Sequence, residues 1–286
     1  MELPVNMMTR TAFCERAKTE FIGIPNVEII VRNEGSLNIC TDASTTWESE
    51  KDMRILLSVT QGADQPASHY KDACSKDAQP LAFVGKGISF DIGGIRLKPS
   101  ADMKLMRGDM GIIRTELEIV SSLLAIAQLQ LPINIVTVTP TCPAPKPSSQ
   151  TIIYAMNGRS VEVDNMDAEG RLVLVDALYY TSAEFKPHTV IDVATLIGAA
   201  EVALGEIYTG VFTVHLRNRL SRMLLDEDYG TQILTLTWKP AGSCTAALFL
   251  KAFVDGIKAK DGQEPSFTRP PYQEKGMTGR PVRALV

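Results

Sequence analysis

The sequence lacks the patterns by which several common enzyme classes are identified. It has no H-E-x-x-H zinc-protease pattern, no G-x-S-x-G nucleophile turn and no G-x-x-x-x-G-K-[ST] phosphate-binding loop. Its three histidines, His69, His188 and His215, are too few and too scattered for a histidine-rich metal site. These absences exclude the commonest zinc proteases, serine hydrolases and nucleotide hydrolases.

Several kinds of partner are excluded in the same way. The net charge is −4 and no block of Lys and Arg occurs, so the sequence predicts no binding to nucleic acid. The uncharged stretch 119–145 is interrupted by Gln128, Gln130 and Pro132, which leaves no apolar run long enough for a membrane span. Five cysteines without a C-x-x-C pair predict reduced thiols, and an N-terminus without an apolar stretch predicts no signal peptide. We therefore predict a cytoplasmic protein.

What the sequence does contain is typical of one large globular α/β domain. Of its 286 residues, 45% are hydrophobic and 22% are charged. Predicted strands cover 27–32, 55–62, 80–87, 133–140, 151–155, 160–163, 189–196 and 209–214, and predicted helices cover 11–19, 110–128, 170–183, 216–226 and 243–254. This alternation predicts a mixed, largely parallel central sheet with helices on both faces, in a single domain over 1–286. The tail from 259 onward is predicted to be mostly irregular.

A glycine-rich segment continues from the buried strand at 80–87. It spans 84–111, reads VGKGISFDIGGIRLKPSADMKLMRGDMG, and contains the charged residues Lys86, Asp91, Lys98 and Asp109. Ligands of such sheets bind at the carboxyl ends of the strands, which makes these side chains candidates for a site. The alternative is a set of turn glycines with solvated charges.

A second cluster directly precedes the helix at 170–183. It reads DNMDAEGR (164–171) and places Asp167, Glu169 and Arg171 around Gly170. Carboxylates that converge in one place must be neutralised, and metal ions do this well. The alternative is that acidic residues at a helix start complement the helix dipole.

Together the two clusters resemble the leucine aminopeptidase (cytosol aminopeptidase) family of metallopeptidases. NMDAEGR is similar to the family pattern N-T-D-A-E-G-R, with Met166 in place of Thr, and VGKGISFDIGG is similar to V-G-K-G-x-x-F-D-S-G-G, with Ile92 in place of Ser. Further matching segments follow in the family's order: LKPSADMKLMRGDMG, ATLIGA (194–199), AGSCTAA (241–247) and KGMTGRP (275–281). The resemblance covers nearly the whole chain.

The resemblance implies a site with two divalent metal ions, zinc and/or manganese. The implied ligands are Lys86, Asp91, Asp109, Asp167 and Glu169. Asp91 and Glu169 would bridge the two ions. Mixed oxygen and nitrogen donors suit these metals better than calcium.

The resemblance also implies the other functional residues. Lys98 corresponds to the family's catalytic lysine, which stabilises the oxyanion of the tetrahedral intermediate. Arg171 corresponds to the arginine that holds a bicarbonate ion acting as general base. Met106, Thr195 and Gly198 are the expected substrate-binding residues. The implied function is the release of N-terminal residues, preferably apolar and Leu-like, from peptides by a homo-oligomer, a hexamer in the family.

The sequence departs from the family pattern at several places. The family's separate N-terminal domain is expected to be absent, and Ile112 and Ile113 replace small residues after Asp109. The chain is shorter than expected between 213 and 241, and it has no H-L-D-I-A-G strand between 254 and 275. These losses leave a second hypothesis open, a catalytically weak family copy with a structural or assembly role.

Overall fold

The structure of the chain is a computed structural model. It describes residues 7, 9–24, 26–33, 54–60, 78–88, 100, 133–142, 151–157, 159–163, 168–196, 211–213, 233–234, 242–254 and 282–285. The helices in these ranges are α1 Arg10–Glu20, α2 Glu169–Phe185 and α3 Gly242–Val254. The strands are β1 Val27–Asn33, β2 Arg54–Thr60, β3 Leu81–Gly85, β4 Gly87–Ile88, β5 Ile135–Cys142, β6 Thr151–Tyr154, β7 Ser160–Val163, β8 Thr189–Val193, β9 Val211–Thr213, β10 Ile233–Leu234 and β11 Val282–Leu285.

Eight of the strands form one mixed sheet in the order β1-β2-β5-β3-β8-β11-β9, with β4 paired to β5. The middle of the sheet is parallel, because β5, β3, β8 and β11 all run in the same direction. Antiparallel pairs complete both sides: β1 with β2, β2 with β5, and β11 with β9. The carboxyl ends of β3 and β8 therefore lie side by side, and this edge positions the candidate site.

Helices lie on both faces of this sheet, and the alternation of side chains along β1 shows it. Ile29 and Val31 pack against the cluster formed by α1, whereas Ile30 packs against the main core beneath α2 and α3. Successive strand residues point to opposite faces, so α1 covers the face opposite to α2 and α3. The predicted α/β architecture is confirmed.

The main core lies between the parallel strands, α2 and α3. Val84, Val138 and Val190 contribute from the sheet, while Leu174 and Phe249 contribute from the two helices, and all five are fully buried. Burying each of these side chains contributes roughly 1.5–3 kcal/mol. This layer fixes the beginning of α2 over the end of β3.

A second, three-stranded sheet has the order β10-β7-β6. Its β6–β7 hairpin is tied to α2, because the backbone N–H of Met156 donates to Oδ1 of Asp176 at 2.8 Å. The two strands predicted at 151–155 and 160–163 are confirmed as this hairpin.

The sequence analysis missed one strand in the tail. Val282–Leu285 forms β11, which pairs in parallel with β8 and antiparallel with β9. Pairing there satisfies backbone groups along an edge of β8 that would otherwise lack partners. The helices predicted at 110–128 and 216–226 lie outside the described residues. No helix in the described part of the chain is long and apolar enough to cross a membrane.

Candidate active site

Lys86 lies at the carboxyl end of β3 and is almost completely buried, with 2% of its surface exposed. Its backbone N–H donates to the carbonyl of Val193 at 3.2 Å, which continues the pairing between β3 and β8. Its side-chain Nζ donates to the carbonyl of Thr195 at 2.8 Å. Because the cost of burying an amine in apolar surroundings is large, this side chain needs polar partners around it.

The first turn of α2 lies against the side chain of Lys86. Gly170 is buried there, and a methyl group added to it would meet the Lys86 side chain. α2 begins at Glu169, and its N-cap is Ala168, whose side chain makes no capping hydrogen bond. The two sequence clusters therefore meet at Lys86 and Gly170, although 84 positions separate these residues in the chain.

Arg171 follows Gly170 and is also buried, with 3% of its surface exposed. Its guanidinium carbon lies 6.0 Å from the ring centroid of Phe249 on α3. A cation in the first turn of a helix is unfavourable next to the positive end of the helix dipole. An anion near Arg171 would relieve this cost, since it would attract both the guanidinium group and the N–H groups of the helix start.

Asp192 was not singled out from the sequence. It lies on β8 between Val190 and Ala194, on the core side, and is 1% exposed. Among the described residues, neither of its carboxyl oxygens has a hydrogen-bond partner. Burial raises the pKa of Asp192 from 3.8 to about 8. The only sequence signal was one acidic residue within the apolar run TVIDVATL.

The structure describes three side chains of the predicted site, Lys86, Arg171 and Thr195. Thr195 is exposed, and its carbonyl, rather than its hydroxyl, contacts Lys86. For Glu169 the structure describes the backbone, as the first residue of α2, and not the side chain. The remaining predicted residues lie outside the described ranges: Asp91, Lys98, Met106, Asp109, Asp167 and Gly198. Within the described ranges, no three His, Cys, Asp or Glu side chains form a group that could hold a metal ion.

A family model described as the cytosol aminopeptidase family, catalytic domain, matches residues 1–286. The chain belongs to this family. Among curated proteins, the cytosol aminopeptidase of Dictyostelium discoideum is 38% identical over 325 aligned positions, and that of Homo sapiens is 39% identical over the same length. Each alignment covers 100% of this chain and 59% of the relative, so the chain spans about three fifths of the relatives' length.

Solved structures of leucyl aminopeptidases share the fold. A leucyl aminopeptidase from Trypanosoma brucei in complex with actinonin matches with a TM-score of 0.70 and 22% identity, over 99% of this chain and 55% of that chain. The leucyl aminopeptidase of Leishmania major, also in complex with actinonin, matches with a TM-score of 0.70 and 20% identity, over 99% of this chain and 54% of that chain. At these identities the likeness supports the fold and no individual residue.

Proposed function

We propose that this chain carries the catalytic domain of a metal-dependent aminopeptidase that releases N-terminal residues, preferably apolar ones, from peptides. The observation that carries the proposal is the contact between Lys86 and the start of α2. It joins the two segments that match the family's metal-binding patterns, at the strand ends where sheets of this kind bind ligands.

The chemistry of the residues fits a pair of divalent metal ions. Lys86 supplies a buried nitrogen donor, and Glu169 begins the helix that lies against it. We propose that the ions, zinc and/or manganese, are held by Lys86, Asp91, Asp109, Asp167 and Glu169. When bound, such a pair polarises the scissile carbonyl and lowers the pKa of an attacking water.

Arg171 is proposed to hold a bicarbonate ion that acts as general base. Its guanidinium carbon lies over the ring of Phe249 on α3, and Ala168 leaves the N–H groups of the helix start without a side-chain cap. Both features favour an anion at this point.

The remaining residues of the proposed site act on the substrate. Lys98 would donate to the oxyanion that forms on the scissile carbonyl. Met106, Thr195 and Gly198 would line the part of the site that receives the N-terminal residue. Of these, Thr195 follows β8 and is exposed, while its carbonyl holds the amine of Lys86.

Two further properties are proposed from family membership. The relatives are named cytosol aminopeptidases, and we propose a cytoplasmic location for this protein as well. We also propose a homo-oligomer, with the hexamer as the expected form and with peptides as the substrates.

A catalytically weak copy with a structural role is the second candidate function. The aligned length of 325 positions exceeds the 286 residues of the chain, so the relatives have residues at positions where this chain has none. Where such losses fall beside a metal site, they remove residues that hold the metal ligands in place.

Two measurements on the purified chain test the proposal. Elemental analysis after loading with Mn²⁺ or Zn²⁺ should find about two ions per chain, and the loaded protein should hydrolyse leucyl amides. Two bound ions without hydrolysis would favour the weak copy. A metal content near zero would contradict the two-metal site.

A further inference from the structure

We propose that Gly170 is a positioning residue, whose missing side chain leaves the space in which the amine of Lys86 is held. The consequence for metal binding rests on the proposed function, since it depends on Lys86 being a ligand. The packing of Gly170 against Lys86 does not depend on the proposed function.

The space at Gly170 is occupied by Lys86. An ideal Cβ built on Gly170 would lie 2.5 Å from Cε of Lys86, 3.0 Å from its Nζ and 3.1 Å from its Cδ. Carbon atoms that do not share a bond pack at about 3.5–4.0 Å, so any side chain at position 170 must displace Lys86.

Lys86 is held in its present position by its backbone, its side-chain amine and its burial. Its backbone is held by the carbonyl of Val193 and its Nζ by the carbonyl of Thr195, 2.8 Å away. Only 2% of its surface is exposed. A Cβ at position 170 would meet the far end of the Lys86 side chain, so the backbone can stay in place while Nζ moves away from the carbonyl of Thr195.

The backbone does not require glycine at this position. Gly170 lies in the first turn of α2, where alanine is the better helix former. Gly23 is the contrasting case, since it has a φ of +79° and nothing within 4 Å of an added Cβ. Glycine suits position 23 because the backbone there has a positive φ. Glycine suits position 170 because the side chain of Lys86 occupies the place of a Cβ.

Thermal unfolding of four chains tests the packing: the wild type, Gly170→Ala, Lys86→Ala and the double variant. With Lys86 removed, Gly170→Ala should raise Tm, because the methyl group enters vacated space and alanine favours the helix. With Lys86 present, the same change should raise Tm less or lower it. Equal changes of Tm in both backgrounds would overturn the inference.

Metal binding to the full chain tests the positioning role. We expect Gly170→Ala to weaken Mn²⁺ binding by about 10–100-fold while the protein stays folded, the range typical for residues that support metal ligands. With Co²⁺ as probe, the visible absorption bands should shift, since displacing a nitrogen donor changes the ligand field. Ser182→Ala is the matched control, because Ser182 is equally buried and lies about three turns further along α2. It should change neither the affinity nor the spectrum.

The outcomes separate the two proposals. If the wild type binds Mn²⁺ and Gly170→Ala binds it equally well with the same Co²⁺ spectrum, the positioning role is wrong and the proposed function stands. If the wild type binds neither Mn²⁺ nor Zn²⁺, the proposed function fails, and the comparison of Tm values alone decides whether Gly170 makes room for Lys86.

Discussion

The guanidinium carbon of Arg171 lies 6.0 Å from the centre of the Phe249 ring, so α2 and α3 meet through a cation over an aromatic face. Interactions of this kind contribute roughly 0.5–2 kcal/mol and favour a position of the cation over the face of the ring. If Arg171 holds the general base, this ring sets where the base lies.

We predict that Phe249→Leu lowers kcat by up to about 10²-fold, because a misplacement of about 1 Å in a catalytic group can have an effect of that size. Phe253→Leu is the matched control. Phe253 is on the same helix, is also fully buried and has its ring centre 5.3 Å from that of Phe249. Both variants should lose stability, by less than the roughly 3–5 kcal/mol typical of Phe→Ala. Equal losses of kcat, measured with a leucyl amide, would remove Phe249 from the positioning of Arg171.

The division of roles among the proposed site residues gives a second prediction. Asp167→Ala or Glu169→Ala should abolish hydrolysis by emptying the metal site. Lys98→Ala should keep both ions and slow turnover by about 10²–10³-fold, because it removes only oxyanion stabilisation. Elemental analysis beside steady-state kinetics distinguishes the two effects. A Lys98→Ala chain that loses its metal would show that this residue has been given the wrong role.

Selectivity for the N-terminal residue gives a third prediction. The sequence between 254 and 275 has no H-L-D-I-A-G pattern, which in the family marks a strand that helps line the side-chain pocket. We therefore expect a low kcat/KM on leucyl substrates and weak discrimination between Leu and Ala. In an apolar pocket, one methylene of the substrate normally changes the free energy of transition-state binding by about 1–3 kcal/mol. Kinetics on leucyl and alanyl amides in Mn²⁺ measure this directly, and a strong Leu preference would mean that other residues rebuild the pocket.

The sequence predicted the fold where the pattern is local and strong. The β-branched run of β5 and the apolar repeat of α2 each indicate their own element, and both are confirmed. β11 was missed because four residues carry too weak a local signal, and its partner strands lie far away in the chain. Its pairing depends on the edge that β8 offers, which is a tertiary property.

The family motifs supply candidate residues for the site, but they do not show which residues lie next to each other. The family motifs point to Lys86 and Arg171, but the approach of Gly170 to Lys86 depends on how α2 packs over the sheet. Asp192 was not singled out, for a different reason. Aspartate is rarely buried without a partner. A single acidic residue in an apolar strand is therefore expected to reach solvent or a partner, and it gave no reason to expect a buried carboxyl.

The last prediction concerns Asp192, whose pKa burial raises from 3.8 to about 8. Between about pH 4 and pH 8 the folded chain keeps the proton on this carboxyl, whereas the unfolded chain releases it. The free energy of unfolding should therefore fall as the pH rises through this window. Asp192→Asn supplies a neutral group of the same shape, and it should be more stable than the wild type at pH 7 and nearly equal to it near pH 4.

Asp176→Asn is a control for which we expect the opposite change in stability at pH 7. Asp176 is as buried as Asp192, but its Oδ1 accepts the N–H of Met156 at 2.8 Å. Its replacement puts an amide in place of the carboxyl that accepts this hydrogen bond, and it should lower stability at pH 7. Urea unfolding of the three chains from pH 4 to pH 8 measures both effects. If Asp192→Asn destabilised the protein at pH 7 as Asp176→Asn does, Asp192 would be ionised and paired in the folded chain, and its surroundings would be polar rather than apolar.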